Sequence, residues 1–252
     1  MVEVILKVEK LTKSYNNQTV VKGISFEVKK GEIFGILGPN GAGKTTTLEM
    51  IETLRPIDKG KVTVNGIDVT KNPEAVKRII GVQPQTPAFQ DKQKIKEILE
   101  MFAATYGEKV DWLTLLKEVS LEDKANSYAE TLSGGQKQRL SIAAALVHDP
   151  LVFFLDEPTT GLDPQARRNL WELVQMVRDR GVTVIMTTHY MDEAELLCDR
   201  VAVMDNGKII ALDTPSQLIK NLLKKGFTKD APVEMANLED VFIDLTGKAL
   251  RD

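Results

Sequence analysis

Only one cysteine, Cys198, occurs in the 252 residues. A lone thiol excludes an intramolecular disulfide and a multi-cysteine metal cluster, and it suits a reducing compartment, so the cytosol is the expected location. A strong charge of either sign is also missing: 33 lysines and arginines against 36 acidic residues leave a net charge of −3. Composition therefore provides no broad attraction to nucleic acid or anionic lipid, and no nucleic-acid partner is expected. No stretch approaches the ~20 apolar residues that span a bilayer, and Met1-Val2-Glu3-Val4 does not open a basic-then-apolar leader. Any membrane role is expected to come through a partner. Internal repeats and low-complexity segments are lacking too, which points to one catalytic unit and not a fused pair.

What is present suffices for a real core: 42% of residues are hydrophobic, enough for one large α/β domain or two small ones. Residues 2–37 read as short strands punctuated by turns at Asn16-Asn17 and Lys30-Gly31, and a helix is predicted from Lys44 to about Leu54. Asn65-Gly66 and Asn206-Gly207, each between apolar runs, predict tight hairpins, because both residue types tolerate positive φ. Ile95, Ile98, Leu99 and Phe102, then Leu140, Ala143, Ala144 and Val147, recur at helical spacing, so roughly 90–148 is expected to be helical. From Leu151 the pattern runs strand (151–155), helix (through Leu170, Leu173, Val174 and Val177) and strand (182–186). That alternation implies right-handed βαβ units and an α/β fold with a mainly parallel sheet, joined by antiparallel β structure and an inserted helical part.

Gly38-Pro39-Asn40-Gly41-Ala42-Gly43-Lys44-Thr45 fits G-x-x-x-x-G-K-[ST] between a predicted strand and a predicted helix, the context that motif requires. The four fixed positions match by chance in about one chain of this length in a hundred. Glycines permit a tight turn whose N–H groups converge on phosphate, and the helix N-terminus adds partial positive charge. Lys44 is expected to reach the β and γ phosphates and Thr45 to ligate Mg²⁺, with Thr46 counted among the nucleotide-binding residues. The apolar run Leu151–Leu155 ends in Asp156-Glu157, where ligands of open α/β sheets collect. Asp156 is placed to hold the Mg²⁺ shell through water and Glu157 to polarise the attacking water; alternatively the pair caps the next helix. Leu132-Ser133-Gly134-Gly135-Gln136 precedes the helix of Leu140–Val147 and offers a hydroxyl and backbone donors at its start, a second anion-binding surface. A plain capped helix would explain a serine and one glycine, but the whole pentapeptide arises by chance in about one chain in several thousand.

With LSGGQ in place, the sequence resembles the ABC ATPases, and the likeness covers nearly the whole chain because the family's motifs follow in order. It implies a P-loop NTPase (RecA-like) core with an antiparallel β subdomain and a helical subdomain. The expected division is an ATPase domain over 1–225, a helical subdomain inserted at about 90–148, and a helical tail over 226–252 with a stripe of Leu238, Val241, Phe242 and Leu245. By this resemblance Tyr15 stacks on adenine, and Gln85 contacts Mg²⁺ and the attacking water, with Gln83 a nearby rival. Asp163, in Thr160-Gly161-Leu162-Asp163, links two nucleotide sites across a dimer, and His189 touches the γ phosphate. Gly161 departs from the commoner serine or alanine. His148 is read as structural.

The resemblance further implies ATP and Mg²⁺ as cofactors and a second copy of the chain as ATP-dependent partner. It also implies separate membrane-spanning permease subunits and a peripheral position on the cytoplasmic face of the membrane. Pro158–Pro164, Tyr190–Glu195 and Leu238–Phe242 with Leu245–Gly247 look like the drug-resistance and antibiotic-export branch. Two rival functions are a soluble ABC ATPase of translation or DNA repair and another P-loop enzyme such as a kinase. The first usually has fused cassettes or a coiled-coil insertion, and the second gains nothing from a second phosphate-binding helix end.

Overall fold

The computed structural model describes residues 3–90, 92–227, 241, 244 and 245. The chain opens with two long antiparallel strands, β1 (Val4–Tyr15) and β2 (Gln18–Lys29), joined at Asn16-Asn17. They are longer than the short strands expected, because register shifts after Val8 and Lys13 let the pair bend and continue where regular pairing would stop. Next come β3 (Ile33–Leu37), α1 (Lys44–Ile51), β4 (Lys59–Val64), β5 (Ile67–Asp68), α2 (Pro73–Lys77) and β6 (Ile80–Gln83). Helix α1 stops short of Leu54: Thr53 takes a left-handed φ of 66°, and the N–H groups of Leu54 and Arg55 both turn back to Glu49 O.

The helical stretch consists of α3 (Ile95–Tyr106), α4 (Trp112–Glu118) and α5 (Gly134–Leu146). Residues 119–133 between them are turns and single 3₁₀ turns, so helix does not fill 90–148. The remainder is β7 (Val152–Asp156), α6 (Pro164–Asp179), β8 (Thr183–Thr188), α7 (Met191–Leu197), β9 (Arg200–Asp205), β10 (Lys208–Asp213) and α8 (Pro215–Lys224). Strands β7 and β8 run on to Asp156 and Thr188, past the ends expected from apolarity alone.

Two sheets result. One is antiparallel in the order β2-β1-β4-β5; the other runs β10-β9-β3-β8-β7-β6, parallel except for the hairpin β9–β10. Every residue of β3, β7 and β8 is buried, as befits central parallel strands covered on both faces. Phe34 and Phe154 pack with the antiparallel sheet, whereas Phe153 and Leu155 face a core shared with α3, α5 and α6. Each such side chain contributes about 1.5–3 kcal/mol by leaving water. Of the predicted tail stripe, Val241 is buried in that second core with Leu218 and Leu222, and Leu245 packs beside it. Leu238 and Phe242 lie outside the described residues. No described helix is long and apolar enough to cross a membrane.

Candidate active site

Strand register alone brings the distant motifs together. Leu37 pairs with Thr188, Asp156 with Thr187 and Gln83 with Leu155, so the segments that follow β3, β8, β7 and β6 leave the sheet at one rim. That rim, at the carboxyl ends of parallel strands, is where open α/β sheets bind ligands. An open cleft of about 480 Å³ lies there, lined by Val20, Asn40, Gly41, Gly43, Lys44, Thr45, Thr46, Gln85, Glu157, Thr160 and His189.

The loop 38–43 is tight against its neighbours. A Cβ on Gly38 would stand 2.1 Å from Met204 O, and Gly43 combines φ 100° with an approach of 3.0 Å to Val20 O, so both positions require glycine. Ala42 is buried, and its N–H donates to Pro39 O. Lys44 is buried as well: its Nζ donates to Gly38 O at 2.8 Å and Pro39 O at 3.2 Å, and it pairs with Glu157 Oε1 at 3.0 Å.

The two carboxylates occupy different surroundings. Asp156 Oδ1 accepts from Thr45 Oγ1 at 3.2 Å and from the Thr187 hydroxyl. Burial raises its pKa; those two hydroxyls oppose the shift, and the charge of Glu157 adds to it. Glu157 takes a left-handed φ of 46°, rare for a non-glycine residue and a mark of local strain. Its N–H is held by Thr187 O at 3.2 Å and Oγ1 at 3.0 Å. The strained turn aims the carboxylate at four donors. Besides Lys44 on Oε1, Oε2 faces Gln85 Nε2 at 3.3 Å, Thr160 Oγ1 at 3.3 Å and His189 Nδ1 at 3.1 Å. Burial pushes the Glu157 pKa up, but the charge and hydrogen bond of Lys44, with His189 and Thr160, bring it below the ordinary value.

Lys44, Thr45, Asp156, Glu157, Gln85 and His189 thus meet at one site. Gln83 does not join them; it is fully buried and bonds Gln138 and Pro84 O. Asn40, Gly41, Gly43 and Thr46 line the same cleft, whereas Tyr15, Ser133, Gly134, Gly135, Gln136 and Asp163 stand outside its lining. Ser133 and Gln136 close a reciprocal cap on α5: Ser133 Oγ accepts from Gln136 N at 3.3 Å and Gln136 Oε1 from Ser133 N at 2.9 Å. Nothing stands within 4 Å of a Cβ on Gly134, while Gly135 lets α5 approach Ala166 of α6. Asp163 caps α6, accepting from Gln165 N and Ala166 N. Gly161 has φ 76°, which a serine or alanine adopts only with strain. Tyr15 closes β1, with the Lys13 and Arg55 cations 5.5 and 5.7 Å from its ring centre. His148 bonds Ile80 O and stacks on Tyr106 at 3.7 Å.

A family model described as ABC transporter matches residues 21–160. The chain belongs to the ABC transporter family. It is 44% identical over 223 residues to the linearmycin resistance ATP-binding protein LnrL of Bacillus subtilis (strain 168), covering 86% of this chain and 72% of that one. To the Nod factor export ATP-binding protein I of Rhizobium etli it is 43% identical, covering 84% and 69%. A solved ATP-binding subunit of an ABC transporter superposes with a TM-score of 0.83 at 29% identity, over 96% of this chain and 99% of that one. Within the ABC transporter family the chain is an ATPase subunit.

Motif reading of this ABC ATPase missed three residues that build the site. Thr187 holds both acidic neighbours, Thr160 holds the Glu157 carboxylate, and Gln138 donates to Gln85 O at 3.3 Å from α5. Only tertiary contact identifies them.

Glu52, buried at the end of α1, also escaped notice. Burial, then the charges of Asp156 and Glu49, raise its pKa from 4.5 to about 8. The folded chain therefore keeps a proton that the unfolded chain loses, so stability falls as pH rises from about 4.5 toward 8. The local slope is about 1.4 kcal/mol per pH unit. Glu52→Gln is expected to match the parent's thermal midpoint near pH 4.5 and exceed it increasingly toward pH 8, without nucleotide or magnesium. A difference that does not grow with pH contradicts this.

Proposed function

We propose that this ATPase is the motor of an exporter, working as a two-fold pair around ATP and Mg²⁺ and docked on separate membrane-spanning permease subunits at the cytoplasmic face. The observation that carries the proposal is that the two segments read as phosphate-binding stand apart within one chain. The loop at Gly38–Thr46 lines the cleft, and Ser133-Gly134-Gly135-Gln136 at the start of α5 does not. A two-fold dimer brings the second surface of each chain onto the first of the other, with Asp163 beside the joint.

In this reading Asn40, Gly41, Ala42, Gly43 and Thr46 cradle the phosphates together with Lys44, and Tyr15 stacks on adenine. The residues proposed for Mg²⁺, Thr45, Gln85 and Asp156, offer only hard oxygen donors, and the Thr45 and Asp156 oxygens already stand 3.2 Å apart. No group of three or more His, Cys, Asp or Glu suited to a metal occurs among the described residues. Phosphate oxygens and water would complete the shell of a bound Mg²⁺, which would neutralise phosphate charge. Glu157 orients the attacking water and His189 meets the γ phosphate. Because Lys44 is paired with Glu157, the γ phosphate competes with that carboxylate for the ammonium, and binding frees the base. The division into an ATPase domain over 1–225, with a helical subdomain inserted at about 90–148, and a tail over 226–252 belongs to the same proposal.

Export is favoured by the relatives, one named for linearmycin resistance and another for Nod factor export. The test is affinity capture of the tagged chain from detergent-solubilised cells. A multi-spanning membrane protein that stimulates its ATP hydrolysis is expected. Capture of ribosomes or DNA, with no membrane protein, contradicts it.

A further inference from the structure

Beside the catalytic cleft lies a second buried cluster that the mechanism above does not use. Glu193, on α7 and four residues beyond His189, is fully buried. Its Oε1 accepts from Trp171 Nε1 of α6 at 3.0 Å. The hydroxyls of Thr188, just before His189, and Thr159, two residues after Glu157, flank the same carboxyl. Thr188 Oγ1 accepts from Tyr190 N at 3.0 Å and so shapes the turn that carries His189. Thr159 lies in the loop that closes on Glu157 through Thr160 N and runs on to Asp163.

Arg167, one turn ahead of Trp171 on α6, reinforces the junction. Its guanidinium stacks over the Tyr190 ring at 4.3 Å and lies 3.6 Å from Asp192. Yet Glu193 Oε2 and Thr159 Oγ1 are buried without a well-formed hydrogen bond. A buried carboxyl left half-paired costs stability, so a purely structural role would favour an apolar side chain here.

We propose that Glu193 is a positioning residue for ATP hydrolysis, fixing the His189 turn, the Glu157–Asp163 loop and helix α6 to one another so that His189 and Glu157 face the same point. This rests on the proposed roles of Glu157 and His189. The residue touches no reacting atom; it acts through Trp171, Thr188 and Thr159. Misplacing a group by about 1 Å reduces a rate by up to about 10²-fold without altering a binding contact.

The experiment compares Glu193→Ala, Glu193→Gln and Trp171→Phe with the parent and with Lys44→Ala, each assayed well below its own thermal midpoint. For Glu193→Ala and Trp171→Phe, kcat for ATP hydrolysis is expected to fall about tenfold, with the dissociation constant for ATP unchanged. Glu193→Gln, which still accepts from Trp171 and can donate to a threonine hydroxyl, is expected to recover at least half of the parent kcat. If Glu193→Ala does not fold, Trp171→Phe and Glu193→Gln still decide. A kcat within twofold of the parent in Trp171→Phe overturns the inference, as does a loss explained by weaker ATP binding. So does a Glu193→Gln variant that regains the thermal midpoint but not the rate. A parent without ATPase activity, or an active Lys44→Ala, instead overturns the reading of the cleft itself.

Discussion

Replacing Glu157 by glutamine is expected to slow ATP hydrolysis by about 10²-fold or more while leaving ATP binding intact. The carboxylate is surrounded by donors: Lys44 on one oxygen, and Gln85, Thr160 and His189 on the other. Glutamine keeps the size but sets an amide N–H₂ among groups that also donate, and it cannot polarise a water by drawing off its proton. It also removes the negative charge that holds Lys44, so the ammonium becomes more available to the γ phosphate. Affinity for ATP should therefore stay level or tighten, and the variant should accumulate as an ATP-bound dimer visible by light scattering. Hydrolysis within tenfold of the parent, or the same mass with and without ATP, contradicts this account.

Lys44→Ala is expected to abolish hydrolysis and weaken ATP binding together. The ammonium is buried and holds two loop carbonyls as well as Glu157. Its loss removes the cation proposed to meet the phosphates and takes the ammonium from beside the Glu157 charge. Binding should recover in part when Glu157→Gln is added, because the repelling charge is then gone, whereas hydrolysis should not. Titration calorimetry with ATP on both variants checks this. Full ATPase activity in Lys44→Ala contradicts it.

Linear motifs made the loop of the candidate site legible where one backbone requirement dictated residue type. Gly38 and Gly43 were read from the motif spacing, and the physical reason for them is that nothing larger fits against Met204 O and Val20 O. The alternation of apolar strand and amphipathic helix after Leu151 gave β7, α6 and β8 in the right order. Boundaries were less legible: α1 ends at Ile51 through a left-handed Thr53, a choice made by the turn and not by the apolar pattern. The length of β1 and β2 depends on bulges, which have no sequence period. Thr187, Gln138 and Glu52 were invisible for another reason. Each matters through a partner far away in sequence, Asp156 in two of the three cases. A threonine at a strand end or a glutamate at a helix end carries no local mark of that.

The central claim is that each ATP is held between the phosphate loop of one chain and the Ser133 segment of another. Mixing two inactive proteins tests it most directly. Lys44→Ala spoils the loop, and Ser133→Arg places a bulky charged side chain at the start of α5. In a mixed dimer one site carries both lesions and the other neither. With random pairing and independent sites, the mixture is expected to regain roughly a quarter of parent ATPase activity, since half the dimers hold one sound site of two. Strictly coupled sites would stay silent but still form the mixed dimer around ATP. A mixture of folded proteins that neither hydrolyses ATP nor dimerises with it would contradict the shared site.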